Sequence, residues 1–204
     1  MASKISIANQ ALTWLGADTI TSFSDGSTEA GVVAANYDGV RDAVLEDAAW
    51  TFATRRAILV PSRTPPPFGY SYEFPMPVDL LRVLTVRDDQ RVEGPSSLEW
   101  AKEGDRIACN SNKVYLKYIA RIDDPLAYSP NFIQAFATRL AADMAVTISG
   151  SRTMQSDMWG LYMKKLADAK SLDGMQGRAQ RTGKNNFARV RGTSGSGSAA
   201  GPTV

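Results

Sequence analysis

The sequence predicts a mainly α chain with a β insertion, an α+β protein built on a four-helix core. Apolar residues recur at helical spacing in two segments before residue 50 and in two after residue 129. Between them, over about residues 57–120, short apolar and aromatic runs alternate and are punctuated by proline and glycine. From Met175 onward the chain is Gly/Ser-rich and basic, with one bulky aromatic, Phe187.

The first helix is expected over Ser3–Leu15, where Ile5, Ala8, Leu12 and Leu15 share a face. Ser3 can cap its start, and Gly16 suits the left-handed position beyond its end. Ile20 and Phe23, in the following linker, pack back on the core. The second helix, about 28–49, carries Val33, Tyr37, Val40, Val44 and Leu45 as its apolar stripe. Ser27 or Asp25 is its cap, and Asp38, Arg41, Asp42, Glu46 and Asp47 are its polar face.

The period then changes. Trp50-Thr51-Phe52-Ala53 leads into Ala57-Ile58-Leu59-Val60, which Pro61 stops, and Thr64-Pro65-Pro66-Pro67 is extended. Tyr70, Tyr72 and Phe74 alternate with small or polar residues, a strand signal that Pro75-Met76-Pro77 ends. Leu80–Arg87 reads as a further strand. Ile107–Cys109 and Val114–Ile119 read as a hairpin around Asn110-Ser111-Asn112.

Ser129 caps the third helix, with Pro130 at its first position. Phe132, Ile133, Phe136, Leu140, Met144 and Ile148 form its apolar face, and Ser149-Gly150 ends it. The fourth helix, about 152–172, turns Met154, Met158, Leu161, Tyr162, Leu166 and Ala169 inward, and Gly174 and Gly177 release the chain. The expected organisation is a helical bundle from 1–56 and 121–174, a β-rich insertion over 57–120, and an extended basic arm over 175–204.

Composition excludes much chemistry. The chain has no histidine, and so lacks the commonest general base and metal ligand. Its one cysteine, Cys109, cannot form an intramolecular disulfide, and in a strand it reads as a small buried residue rather than a nucleophile. No apolar run approaches the roughly 18–20 residues of a membrane span. The N-terminus becomes amphipathic at once rather than resembling a signal peptide, which implies a soluble protein made in the cytosol. Asp88-Asp89 sits at a strand end and Asp123-Asp124 in a loop before a helix, and neighbouring loop residues rarely converge on one substrate atom. The glycines at 192, 195 and 197 follow no strand and precede no helix, and Gly26-Ser27 to Gly31 lacks a phosphate-loop lysine. No catalytic residues, metal site or cofactor are expected.

Charge is unevenly spread. The net charge of the whole chain is +2. Arg178, Arg181, Lys184, Arg189 and Arg191 lie in the last thirty residues with no acid, leaving 18 basic against 21 acidic residues in 1–174, a net −3. So little apolar surface cannot offset the entropy of ordering, so the arm needs something to order it. It can remain a solvated tail, bind nucleic acid through phosphates, or fold onto an acidic protein. Phe187 and Val190 are apolar anchors that phosphates do not require, which favours protein. Tyr70, Tyr72 and Phe74, with Trp50 and Phe52, could stack bases, but Lys and Arg are sparse among them, which favours core packing or a subunit contact.

The order of motifs carries a resemblance. Ala8-x-x-Ala11-Leu12-x-x-Leu15-Gly16 is followed by Ile20, Ser22-Phe23 and Tyr37-Asp38-x-x-Arg41-Asp42-x-x-Leu45. Then come Trp50-Thr51-Phe52-Ala53-Thr54-Arg55 and Tyr70-x-Tyr72-x-Phe74-Pro75-x-Pro77-x-Asp79-Leu80-Leu81-Arg82-Val83. Leu116-x-Tyr118-Ile119, Asp124-Pro125, Pro130-x-Phe132 and Leu140-Ala141-Ala142 complete the series. Over about residues 4–172 this resembles the head-to-tail connector or adaptor proteins of short-tailed, podovirus-like phages, the tail tubular protein A family.

The resemblance implies a structural, non-enzymatic virion protein of the tail and portal vertex, assembled in the host cytoplasm. It implies a homo-oligomeric ring, usually of twelve copies, between the portal protein and a distal tail tube or nozzle. The bundle would form the ring wall and the β insertion would face the distal tail, with Tyr70, Tyr72 and Phe74 as distal-tail or subunit contacts. The arm, with Arg178, Arg181, Lys184, Phe187, Arg189, Val190 and Arg191, would dock on the portal. DNA would pass through the lumen without sequence-specific binding, and a slightly acidic body suits such a channel. The alternative is a nucleic-acid-binding module that uses the basic arm.

Overall fold

A computed structural model describes residues 2–91 and 96–177. Helix α1 (Lys4–Leu15) begins in a capping box, with the Ser3 side chain accepting from the Ser6 N–H and Ser6 reciprocating. Gly16 ends it at φ 70°, a left-handed conformation that an L side chain would strain. Helix α2 (Thr28–Glu46) is capped by Ser27, whose own N–H and hydroxyl are held by Asp25. Helix α3 (Pro130–Ser149) starts at Ser129-Pro130 and ends at left-handed Gly150. Helix α4 spans Arg152–Gly177. It therefore continues past Gly174, later than the release point expected from the glycines, because an isolated helical glycine costs only about 1 kcal/mol and Asp173 anchors the end.

Helix α3 is the central helix and packs against α1, α2 and α4. Its Phe132, Phe136, Leu140 and Met144 are fully buried. Phe132 meets Trp50 and Phe52 edge-on at ring-centroid distances of 5.1 and 5.0 Å, and Tyr128 lies at 4.8 Å. These contacts tie the link after α2 to the start of α3.

Six strands lie between α2 and α3: β1 (Thr54–Leu59), β2 (Tyr72–Pro75), β3 (Leu80–Arg87), β4 (Trp100–Glu103), β5 (Arg106–Cys109) and β6 (Val114–Ala120). They form two antiparallel sheets, ordered β1-β6-β3 and β2-β5-β4. The expected hairpin of 107–109 with 114–119 is not formed. Strands β5 and β6 lie in different sheets, and the Asn110 side chain accepts from Ser71 rather than closing a two-strand turn. The tight hairpin is instead β4–β5, where Gly104 at φ 59° and Asp105 link Glu103 to its partner Arg106. Residues of both sheets, Phe74, Ile107 and Cys109 from one and Val86, Val114 and Leu116 from the other, join the helices in one buried cluster.

Arg41, expected on the polar face of the second helix, is buried. Its guanidinium reaches Asp38 at 2.9 Å, Asp42 at 2.8 Å and Asp123 at 2.7 Å. Three carboxylates and the buried aliphatic stem together make that burial tolerable.

Candidate interaction surfaces

The expected portal-docking residues Arg178, Arg181, Lys184, Phe187, Arg189, Val190 and Arg191 lie outside the described residues. The expected distal-contact aromatics separate. Tyr70 is half-buried, Tyr72 is 37% exposed and Phe74 is 0% exposed. Phe74 is therefore core and not a contact residue: it stands opposite Ile107 in the sheet, and strand alternation turns it away from solvent. Trp50 and Phe52 belong to the aromatic group around Phe132 and not to a platform with the two tyrosines.

Of the two acidic pairs, Asp89, Asp123 and Asp124 are committed to structure, while Asp88 is exposed. Asp89 accepts from Arg87 Nε at 3.2 Å and Arg91 Nε at 2.7 Å. Those hydrogen bonds, Arg91's the stronger, hold its carboxyl below the usual range. Asp123 pairs with Arg41, and Asp124 caps a short 3-10 helix at Pro125–Ala127. Cys109 is buried, and loss of hydration pushes its thiol pKa up, opposite to the change that activates a nucleophile.

The end of α4 is fastened. Asp173, 8% exposed, accepts from Thr51 N at 2.8 Å and Thr51 Oγ1 at 2.9 Å. One helical face upstream, Tyr162 donates to Asp47, and Arg139 lies 4.1 Å from the Trp159 ring centroid.

One feature of the β region was not legible as a site. Arg56 and Lys117 face each other across β1 and β6, with Thr85 on the far side of Lys117. They share the outer face with Ile58 and Tyr115, while Leu116 and Val86 are buried on the other. Arg56 and Lys117 line a 240 Å³ cavity that extends to Arg91. They also line a second cavity whose other walls include Thr51, Asp173 and Gly174. Neither cation has an ion-pair or hydrogen-bond partner among the described residues. Alternation within each strand marks both as outward, but only the register brings them together.

Among the described residues, no group of three or more His, Cys, Asp or Glu could hold a metal, and no helix is long and apolar enough to cross a membrane. No protein-family model matches the chain, and a comparison with curated proteins gives no match.

Proposed function

We propose that the chain is the protomer of a structural adaptor ring that joins a phage portal to the tail tube or nozzle and lines the DNA ejection channel. The motif series over residues 4–172 supplies the reading. The observation that supports it in three dimensions is exposed apolar surface on two separate elements. Phe68 and Val78, 88% and 99% exposed, project from the loops before β2 and β3. Met163, Leu172 and Met175 are exposed along α4. A closed ring with head-to-tail contacts needs two different faces on each protomer. Solvent-facing apolar side chains on both the β region and the last helix supply candidates for such faces and for the axial contacts.

The test is the native mass of the protein alone and with the portal protein of the same virus. The expected outcome is a closed ring, of twelve copies in this reading, on the portal. Deleting residues 178–204 should leave the thermal transition of the body in place and abolish co-sedimentation with portal. A protein that stays monomeric with portal refutes the adaptor reading. Unchanged co-sedimentation of the truncated chain refutes the role of the arm alone.

A further inference from the structure

We propose that the groove across the β1-β6-β3 sheet binds an extended acidic protein segment, with Arg56 and Lys117 as the cationic centre. Both cavities border these side chains, one reaching Gly174 at the end of α4 and the other Arg91 beyond β3. Arg56 and Lys117 are register partners on adjacent strands, which sets their Cα atoms about 5 Å apart. Two cations that close repel each other, and a carboxylate seated between them relieves the repulsion while gaining charge-assisted hydrogen bonds. The other charges along the groove are already committed. Asp89 is held by Arg87 and Arg91, and Asp173 by Thr51. Among the described residues, Arg56 and Lys117 are thus the cations of the groove that no carboxylate holds.

The occupant follows from the lining. Ile58, 60% exposed, and Tyr115 flank the cations and offer apolar contact to the residues on either side of an acidic one. A nucleic-acid backbone would instead want a row of available cations, whereas Arg87 and Arg91, the other two in the lining, are both held by Asp89. Residues 178–204 of the chain itself carry five basic and no acidic residues and so do not complement this surface. The proposal holds whichever larger assembly the protein enters.

The experiment uses the full chain and a fluorescein-labelled peptide that alternates Glu with Leu, followed by fluorescence anisotropy at low salt. Because residues 178–204 are themselves basic, three variants are compared. Arg56→Gln with Lys117→Gln should weaken binding at least tenfold. Replacing all five basic residues of 178–204 by Gln should weaken it less than threefold, and Lys164→Gln, on the exposed side of α4, should leave it unchanged. Circular dichroism of each variant separates misfolding from lost contact, and Arg56→Lys, which keeps the charge, should retain most of the affinity. The proposal is overturned if the peptide does not bind, or if the groove variant binds normally. It is equally overturned if the five-residue variant accounts for the loss, or if a 12-nucleotide single-stranded DNA binds the groove more tightly than the peptide.

Discussion

Replacing Asp173 by alanine should loosen the end of α4 without unfolding the protein. The carboxylate accepts two hydrogen bonds from Thr51, at 2.8 and 2.9 Å, and joins residues 122 apart in the chain. Hydrogen bonds to a charged group contribute about 1.5–3 kcal/mol each, but these two share one oxygen. Asp173 also borders two solvent-open cavities, so water can replace part of what is lost. The expected cost is therefore about 2 kcal/mol, within the range for one such bond rather than the sum of two. At 1.4 kcal/mol per tenfold, the last helical turn should open roughly 30 times more often. Tyr162, Leu166 and Ala169 remain buried upstream, so the effect should stop near residue 169. Hydrogen exchange read by mass spectrometry should show faster exchange in peptides covering 170–177, with the urea midpoint almost unmoved. Asp173→Asn, which keeps an accepting oxygen but no charge, should fall between. Unchanged exchange over 170–177, or a fall in global stability with uniform exchange, would refute the view of Asp173 as a local fastener.

Two further outcomes concern buried tyrosines. The Tyr37 hydroxyl is buried and has no hydrogen-bond partner among the described residues, although its ring packs between Phe23 and Phe136 at 5.2 and 5.0 Å. Tyr37→Phe keeps those contacts and removes an unsatisfied polar atom, so the urea midpoint should rise, by up to about 1 kcal/mol of stability. A fall in the midpoint would show that the hydroxyl is satisfied in solution. Burial raises the pKa of Tyr37, Tyr128 and Tyr162 above the ordinary value, mainly by desolvating the phenolate. The unfolded chain releases these protons near pH 10 while the folded chain retains them. The stabilising contribution is thus complete below about pH 10 and is lost as pH rises toward the raised folded values, at up to about 1.4 kcal/mol per pH unit for each tyrosine. Urea titrations between pH 8 and 11 should show a flat region and then a falling midpoint. Constant stability through pH 11 would contradict the burial of these phenols.

Local chemistry was legible in the sequence where neighbours in the chain decide it. Ser3, Ser27 and Ser129 start helices, and Gly16 and Gly150 end them, because a cap acts within one turn. The apolar stripes of α1 and α3 were legible for the same reason, since helical spacing alone aligns them. Strand partners were not. The Asn110-Ser111-Asn112 turn suggested a hairpin, whereas β5 pairs with β2 and β4 and β6 with β1 and β3, choices made by burial far along the chain. Strand β4, Trp100-Ala101-Lys102-Glu103, is mostly exposed and gives no alternation to detect. Arg41 looked solvent-facing because its third acidic partner, Asp123, is supplied from beyond the whole β region. The groove at Arg56 and Lys117 was hidden for the same reason: it exists only once strands sixty residues apart are in register.

The path of the chain through the two sheets has a mechanical consequence. Going from β1 to β6, the backbone enters one sheet, leaves for the other, returns, leaves again for a hairpin, and returns. The sheets are stitched by this alternation. No single continuous stretch carries the whole of one sheet and none of the other, and loss of the β4–β5 hairpin would take from β2 the strand it pairs with. Tension applied at the β region would be shared by both sheets through the central strands β5 and β6. The region should yield as one unit rather than peel strand by strand, a property suited to a part held between larger bodies.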